Sequence, residues 1–99
     1  MEIDEMYVAR NEEIAWSELD DEVVLLDIDQ GSYFSLNAVA ADLWKLLDGS
    51  RTVASLVGEV LTLYDVEESQ ARQDVIRVVG DMVQKNLAVI SPATAEPAP

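Results

Sequence analysis

The spacing of apolar positions changes partway along the chain. Val23-Val24-Leu25-Leu26-Asp27-Ile28 is a short, β-branched apolar run. Asp20-Asp21 precedes it and Asp29-Gln30-Gly31 follows it, so it predicts a strand between two turns. Ile14 to Leu19 alternates weakly and predicts a strand before it. Ser32 to Leu36 predicts a third after it. Connections this short make the three an antiparallel meander, and Gly31 supplies a positive φ in the second turn.

From Asn37 onward the period becomes helical. Ala40, Leu43, Trp44 and Leu47 recur at helix spacing behind Asn37 as N-cap, with Asp48-Gly49 as the stop. Thr52 caps a second helix, whose apolar face is Val53, Leu56, Val57, Val60 and Tyr64. A third helix is predicted from Asp65, paired with Glu68 in a capping-box-like arrangement, to about Lys85, with Asn86 at C′. Leu87 to Ile90 reads as a short closing strand or extended segment. Residues 1–13 read as a loosely ordered N-terminal segment, residues 14–90 as one domain, and the Pro/Ala-rich residues 91–99 as a disordered tail. The expected class is α+β: a winged helix-turn-helix-like fold, with a three-stranded antiparallel meander followed by three helices.

Two features of this layout point to binding. The last strand of a meander is an edge, and its unpaired N–H and C=O groups form a template for strand addition. Phe34 and Leu36 face the core there, Tyr33 and Ser35 the other side. The third helix has a stripe of Ala71, Val75, Val78, Val79 and Met82, which Ile76 and Val83 widen sideways to roughly 160°, against about 100° for a surface helix. Either the third strand covers this surplus edge or a partner does. Gly80 beside it serves close helix packing or leaves room for that partner.

Composition narrows the chemistry. The 99 residues hold 20 acidic and 6 basic side chains, a formal charge of −14, with no cysteine and no histidine. The commonest general base and the commonest metal ligand are therefore missing, and with them any familiar nucleophile–base pair. Asp27 and Asp29 are too few for an oxygen cage around a hard cation. The expectation is a chain with no enzymatic activity, cofactor or metal. The acidic balance argues against nucleic acid, which needs a basic face, and favours a basic partner. A winged-helix DNA-binding regulator is the alternative that the topology allows. It lacks a basic patch, since Arg72, Arg77 and Lys85 are interleaved with Asp74 and Asp81. No stretch spans a membrane, no secretory signal opens the chain, and the thiol-free composition suits the cytoplasm.

The run from Ile14 to Ile90 resembles the PqqD family, named for coenzyme PQQ synthesis protein D. The resemblance rests on Leu25-Leu26-Asp27, on G-x-Y-F-x-L-N from Gly31 to Asn37, and on LLDGSRTV from Leu46 to Val53. Tyr64-Asp65-Val66 and Asp74-Val75 add to it. Asn86 departs from the family's usual glycine but tolerates the same left-handed backbone. The resemblance implies a stand-alone RiPP recognition element, a peptide chaperone for natural-product biosynthesis. It would bind the leader of a ribosomally made precursor by strand addition and present it to modifying enzymes. In lasso-peptide-type systems these are a leader peptidase and a cyclase; in PQQ-type systems, a radical-SAM enzyme. The implied peptide-binding residues are Tyr33, Phe34, Ser35 and Leu36 on the strand. On the helix the wheel selects Arg72, Ile76, Val79, Gly80 and Val83, with Asp74, Val78 and Asp81 as the opposite choice. An exposed edge strand leaves both monomer and homodimer open.

Overall fold

A computed structural model describes residues 3–20 and 22–92. The chain is α+β, with two three-stranded antiparallel sheets and three helices. After a 3-10 turn over Ile3–Glu5 come β1 (Tyr7–Arg10), β2 (Ile14–Leu19), β3 (Glu22–Asp27) and β4 (Ser32–Leu36). Then follow α1 (Ala38–Leu46), β5 (Asp48–Thr52), α2 (Val53–Leu63), α3 (Glu68–Gln84) and β6 (Ala88–Ser91). Strands β2, β3 and β4 form the expected meander. A second sheet, in the order β5-β1-β6, was not expected.

That second sheet departs from a simple meander followed by helices. Within the segment read as loosely ordered, Tyr7–Arg10 forms the central strand, and Val8 is fully buried. Asp48-Gly49 does not merely stop α1 but opens β5, where buried Gly49 takes a φ of 87°. Four-residue strands show little alternation, and the partners of β1 lie some 40 and 80 residues downstream, so local pattern does not reveal the pairing. The residues read as the tail begin inside β6 at Ser91; residues 93–99, and Asp21 of the first turn, lie outside the described residues.

The helix caps follow the sequence closely. The Asn37 side chain accepts from the Ala40 N–H at 3.0 Å, and Thr52 Oγ1 from the Ser55 N–H at 3.1 Å, satisfying first-turn amides that no carbonyl reaches. Helix α3 starts three residues later than expected. Tyr64 is extended, and Glu67 is the N-cap without a side-chain bond, so Asp65 and Glu68 form no capping box. At the other end Asn86 takes a φ of 64°. Its N–H donates to the Val83 carbonyl at 3.0 Å and the Leu87 N–H to the Met82 carbonyl at 2.8 Å, the paired bonds of a Schellman motif.

Helices and sheets share one core, centred on Trp44, Leu25, Leu43, Leu56 and Val75. Strand β1 ties the helix ends together. Arg10 donates to the Trp44 carbonyl at 2.9 Å and the Lys45 carbonyl at 3.2 Å, at the C-terminus of α1. The Val53 N–H at the start of α2 donates to the Met6 carbonyl at 2.9 Å. The Asn11 N–H donates to the Leu87 carbonyl at 2.9 Å, and its side chain to the Asn86 carbonyl at 2.8 Å, just past α3.

Two measurements probe this frame. Val8→Ala removes two buried methyl groups and leaves a cavity, an expected loss of about 2 kcal/mol. Thermal melting should fall by roughly 10 °C in a domain this size; an unchanged melt would mean that the N-terminal strand is not part of the cooperative unit. Tyr64 donates to Asp42 Oδ2 at 2.6 Å, joining α2 to α1. That bond, helped by burial and the Asp42 charge, raises the phenol's pKa above its ordinary 10.0. The contribution is whole below pH 10.0 and declines as pH rises through the folded pKa. Tyr64→Phe should lower stability by about 1 kcal/mol at neutral pH and shrink that difference in alkali, read by denaturant melts across pH.

Candidate functional site

Strand β4 is an edge in the structure as in the sequence. It pairs with β3 from Asp27↔Ser32 to Val23↔Leu36, and its other side carries no strand among the described residues. Its side chains alternate as expected: Phe34 and Leu36 pack half-buried against the core, while Tyr33 and Ser35 are exposed. The chain then leaves the sheet at once. Asn37 caps α1, and the Ala41 N–H reaches the Asn37 carbonyl at 2.7 Å, so the backbone turns into a helix instead of folding over the edge.

The free edge faces the C-terminal half of α3 across a groove of about 820 Å³. Tyr33, Phe34, Ser35 and Leu36 form the strand wall. Two rows of helix side chains, each spaced by four residues, form the other. Val78 and Met82 supply an apolar floor with Phe34 and Leu36, and Arg77, Asp81 and Lys85 supply a charged rim. Asn37, Ala40, Gln84 and Leu87 complete the lining. Lys85 spans the groove: its Nζ lies 3.1 Å from Asp81 Oδ2 and 5.6 Å from the centroid of the Phe34 ring, within cation–π range. Arg77 reaches Asp74 Oδ1 at 3.4 Å, which also accepts from Gln70 at 3.0 Å.

The four strand residues picked from sequence thus meet in one site, and the five helix residues do not. Arg72 binds Asp4 of the N-terminal 3-10 turn. Val79 is buried in the core, and Ile76 and Val83 are half-buried against it. Gly80 is exposed, and a Cβ there would meet nothing within 4 Å. The surplus apolar arc is real, but Ile76 and Val83 pack half-buried against the protein's own core, in a helix that lies on α2 and β6. Of the opposite choice, Val78 and Asp81 line the groove and Asp74 does not. Arg77, Met82 and Lys85 also line the groove and are not among the residues chosen from sequence. Their signal was spacing: each stands on the same helix rows as Val78 or Asp81.

No group of three or more metal-ligating side chains occurs among the described residues. What the groove offers is a row of unpaired backbone groups above an apolar floor with a charged rim, which suits an extended chain.

Fold and groove together define a class: a small α+β domain with an open strand edge set against a helix. Coenzyme PQQ synthesis protein D (PqqD) is the family matched over residues 22–88, and the chain belongs to it. No curated protein sequence matches. Two solved structures are similar. TbiB1 in complex with the TbiA(beta) leader peptide is 28% identical with a TM-score of 0.75, covering 81% of this chain and 93% of that one. A lasso peptide synthetase B1 complexed with the leader peptide is 27% identical with a TM-score of 0.74, covering 83% and 96%.

Gly80 supplies a test of the groove's position. Gly80→Ala fills open space in a helix interior, so it should stabilise the protein by about 0.5–1 kcal/mol and raise the melting temperature by several degrees. A lower melt would mean that a neighbour needs the missing Cβ.

Proposed function

We propose that this protein is a non-catalytic recognition element. It binds the leader of a ribosomally synthesised precursor peptide by strand addition to β4 and delivers it to modifying enzymes. One observation carries the reading: the unpaired edge of β4 faces an apolar groove on α3, in a chain sharing its fold with proteins solved bound to leader peptides. Main-chain bonds along the edge give affinity, and the groove reads alternate side chains of the guest. Five residues of β4 span roughly 17 Å, so the added strand is about five residues long. Tyr33, Phe34, Ser35 and Leu36 flank it on one side, Val78 and Met82 on the other, with Arg77, Asp81 and Lys85 at the rim.

The similarity to a lasso peptide synthetase B1 favours a lasso-peptide-type pathway, with a leader peptidase and a cyclase as the enzymes served. A PQQ-type pathway with a radical-SAM enzyme is the variant reading, from the family match. The cytoplasm is the compartment proposed, where precursor peptides are made; no helix among the described residues is long and apolar enough to cross a membrane. The three helices and the β2-β3-β4 sheet support reading the frame as a winged helix-turn-helix variant with that sheet as its wing. A DNA-binding role gains no support: Arg77 and Lys85 each engage an aspartate, in a chain of charge −14.

The test is a titration with leader peptides from neighbouring precursor genes, read by Trp16 and Trp44 fluorescence and by polarisation of labelled peptide. Micromolar or tighter binding is expected, with a scrambled leader silent. Val78→Ser should weaken it about fivefold or more, whereas Gly80→Ala leaves it unchanged. N-methylation of alternate leader amides should abolish binding in the set that faces β4 and spare it in the other. Binding indifferent to both sets would sink strand addition.

A further inference from the structure

The rim of the groove carries charge of alternating sign at a regular interval. Arg77, Asp81 and Lys85 stand four residues apart on α3, and all three line the groove. They run cation, anion, cation, each about 6 Å of helix from the next. In a chain with 6 basic residues against 20 acidic ones, Arg77 and Lys85 are gathered on this one wall.

Both cations are loosely engaged. The Arg77 side chain is 75% exposed, and its contact with Asp74 is long, at 3.4 Å. The Lys85 side chain is 46% exposed and divides itself between Asp81 Oδ2, at 3.1 Å, and the face of the Phe34 ring, 5.6 Å from its centroid. Intrahelical pairs this exposed contribute little to stability, so a guest carboxylate takes over either cation at small cost. Lys85 already lies against Phe34, on the strand whose edge receives the guest.

The interval of the rim matches that of an extended chain. From Arg77 to Lys85 the helix rises about 12 Å. Four residues of a strand cover about 13 Å, and residues two apart put their side chains on one face. A strand added beside β4 turns every second side chain towards Val78 and Met82, the face on which Phe34 and Leu36 also lie. Three successive members of that set, i, i+2 and i+4, therefore stand opposite the three charges of the rim.

We propose that the groove reads a charge pattern in the leader: a carboxylate at i and another at i+4, held by Arg77 and Lys85, with none at i+2, where Asp81 repels it. An amide, hydroxyl or cationic side chain is accepted at i+2. This inference deepens the function proposed above and rests on it. The pattern sets the register of binding. A guest strand that slips by two residues keeps its faces and its kind of main-chain bond. On the rim the same slip brings a carboxylate against Asp81 and leaves one cation unmatched. The net charge of −14 acts at longer range and favours a leader that is basic outside this segment, while screening confines the rim's influence to its nearest residues.

The experiment uses the full chain and the leader peptide that binds in the titration above, fluorescently labelled and read by polarisation. Each residue of the segment mapped by N-methylation is replaced in turn by Glu, Gln and Lys. Two positions four apart should favour Glu over Gln by about threefold and over Lys by about tenfold, and the position midway should show the reverse order. The remaining positions face away from α3 and should be indifferent. Arg77→Glu should invert the preference at one end position only, Lys85→Glu at the other only, and Asp81→Asn should erase the preference midway. Arg77→Gln and Lys85→Gln add no repulsion within the helix; they should keep the melting temperature and abolish the same end preferences. A packing role for these side chains would not tie an inversion to one leader position. Equal affinity for Glu, Gln and Lys at every position overturns the proposal while leaving strand addition intact. Preferences at positions that are not four apart, or that survive in the Arg77→Gln, Lys85→Gln double variant, overturn it as well. A protein that binds no native leader refutes the proposed function itself, and this inference with it.

Discussion

The position of α3 relative to the β2-β3-β4 sheet depends on a four-residue strand at the other side of the molecule. Strand β1 contributes little burial beyond Val8, yet its neighbourhood holds the ends of all three helices. Arg10 closes the last carbonyls of α1, Met6 receives the first amide of α2, and Asn11 grips the chain just past α3. Helix ends carry unsatisfied groups that must find partners. Here one segment satisfies groups from three helices and so fixes their mutual placement. The groove between β4 and α3 is a consequence of that fixing, since only weak contacts such as Lys85 over Phe34 cross it directly. Its walls are held apart by the frame, which is what a site needs if it is to admit a guest strand without unfolding.

The two ends of the site are terminated by capping chemistry that the sequence states openly. Asn37 ends β4 by starting α1, and Asn86 ends α3 by taking the left-handed conformation. Each termination keeps a wall short. A longer β4 would have room to fold its own chain over the edge, and a longer α3 would run past the sheet. Open edge and apolar floor are therefore set by where two elements stop.

What the sequence disclosed and what it withheld divide along locality. The meander, the caps at Asn37 and Thr52, the turn glycine at Gly31 and the edge status of β4 rest on neighbours within a few residues, and each was legible. Strand β1 was not, because its meaning lies in partners at β5 and β6 that no short-range pattern announces. The same gap explains why the helix residues chosen from sequence do not line the groove. A helical wheel gives the width of the apolar arc on α3 but not which side is already covered. With β1, β6 and the 3-10 turn unseen, the arc through Ile76 and Val83 looked vacant; the structure shows it spent on the protein's own packing. Val78, offered only as the opposite choice, and Met82, read as core stripe, form the groove floor.

An exposed strand edge is a hazard as well as a site, because a second copy carries the same unpaired groups. Proteins often blunt such edges with lysine, proline or an inward charge, and Ser32-Tyr33-Phe34-Ser35-Leu36 has none of these. The defence available to this chain is its charge. At −14 on 99 residues, copies repel before their edges meet, and the strands β2, β3 and β4 carry three acids, Glu18, Glu22 and Asp27, and no cation of their own. The cations are placed elsewhere, two of the six on the helix wall at Arg77 and Lys85, where they face the groove instead of the outer sheet. The acidic surplus, which favours a basic partner, thus has a second use: it keeps identical edges apart.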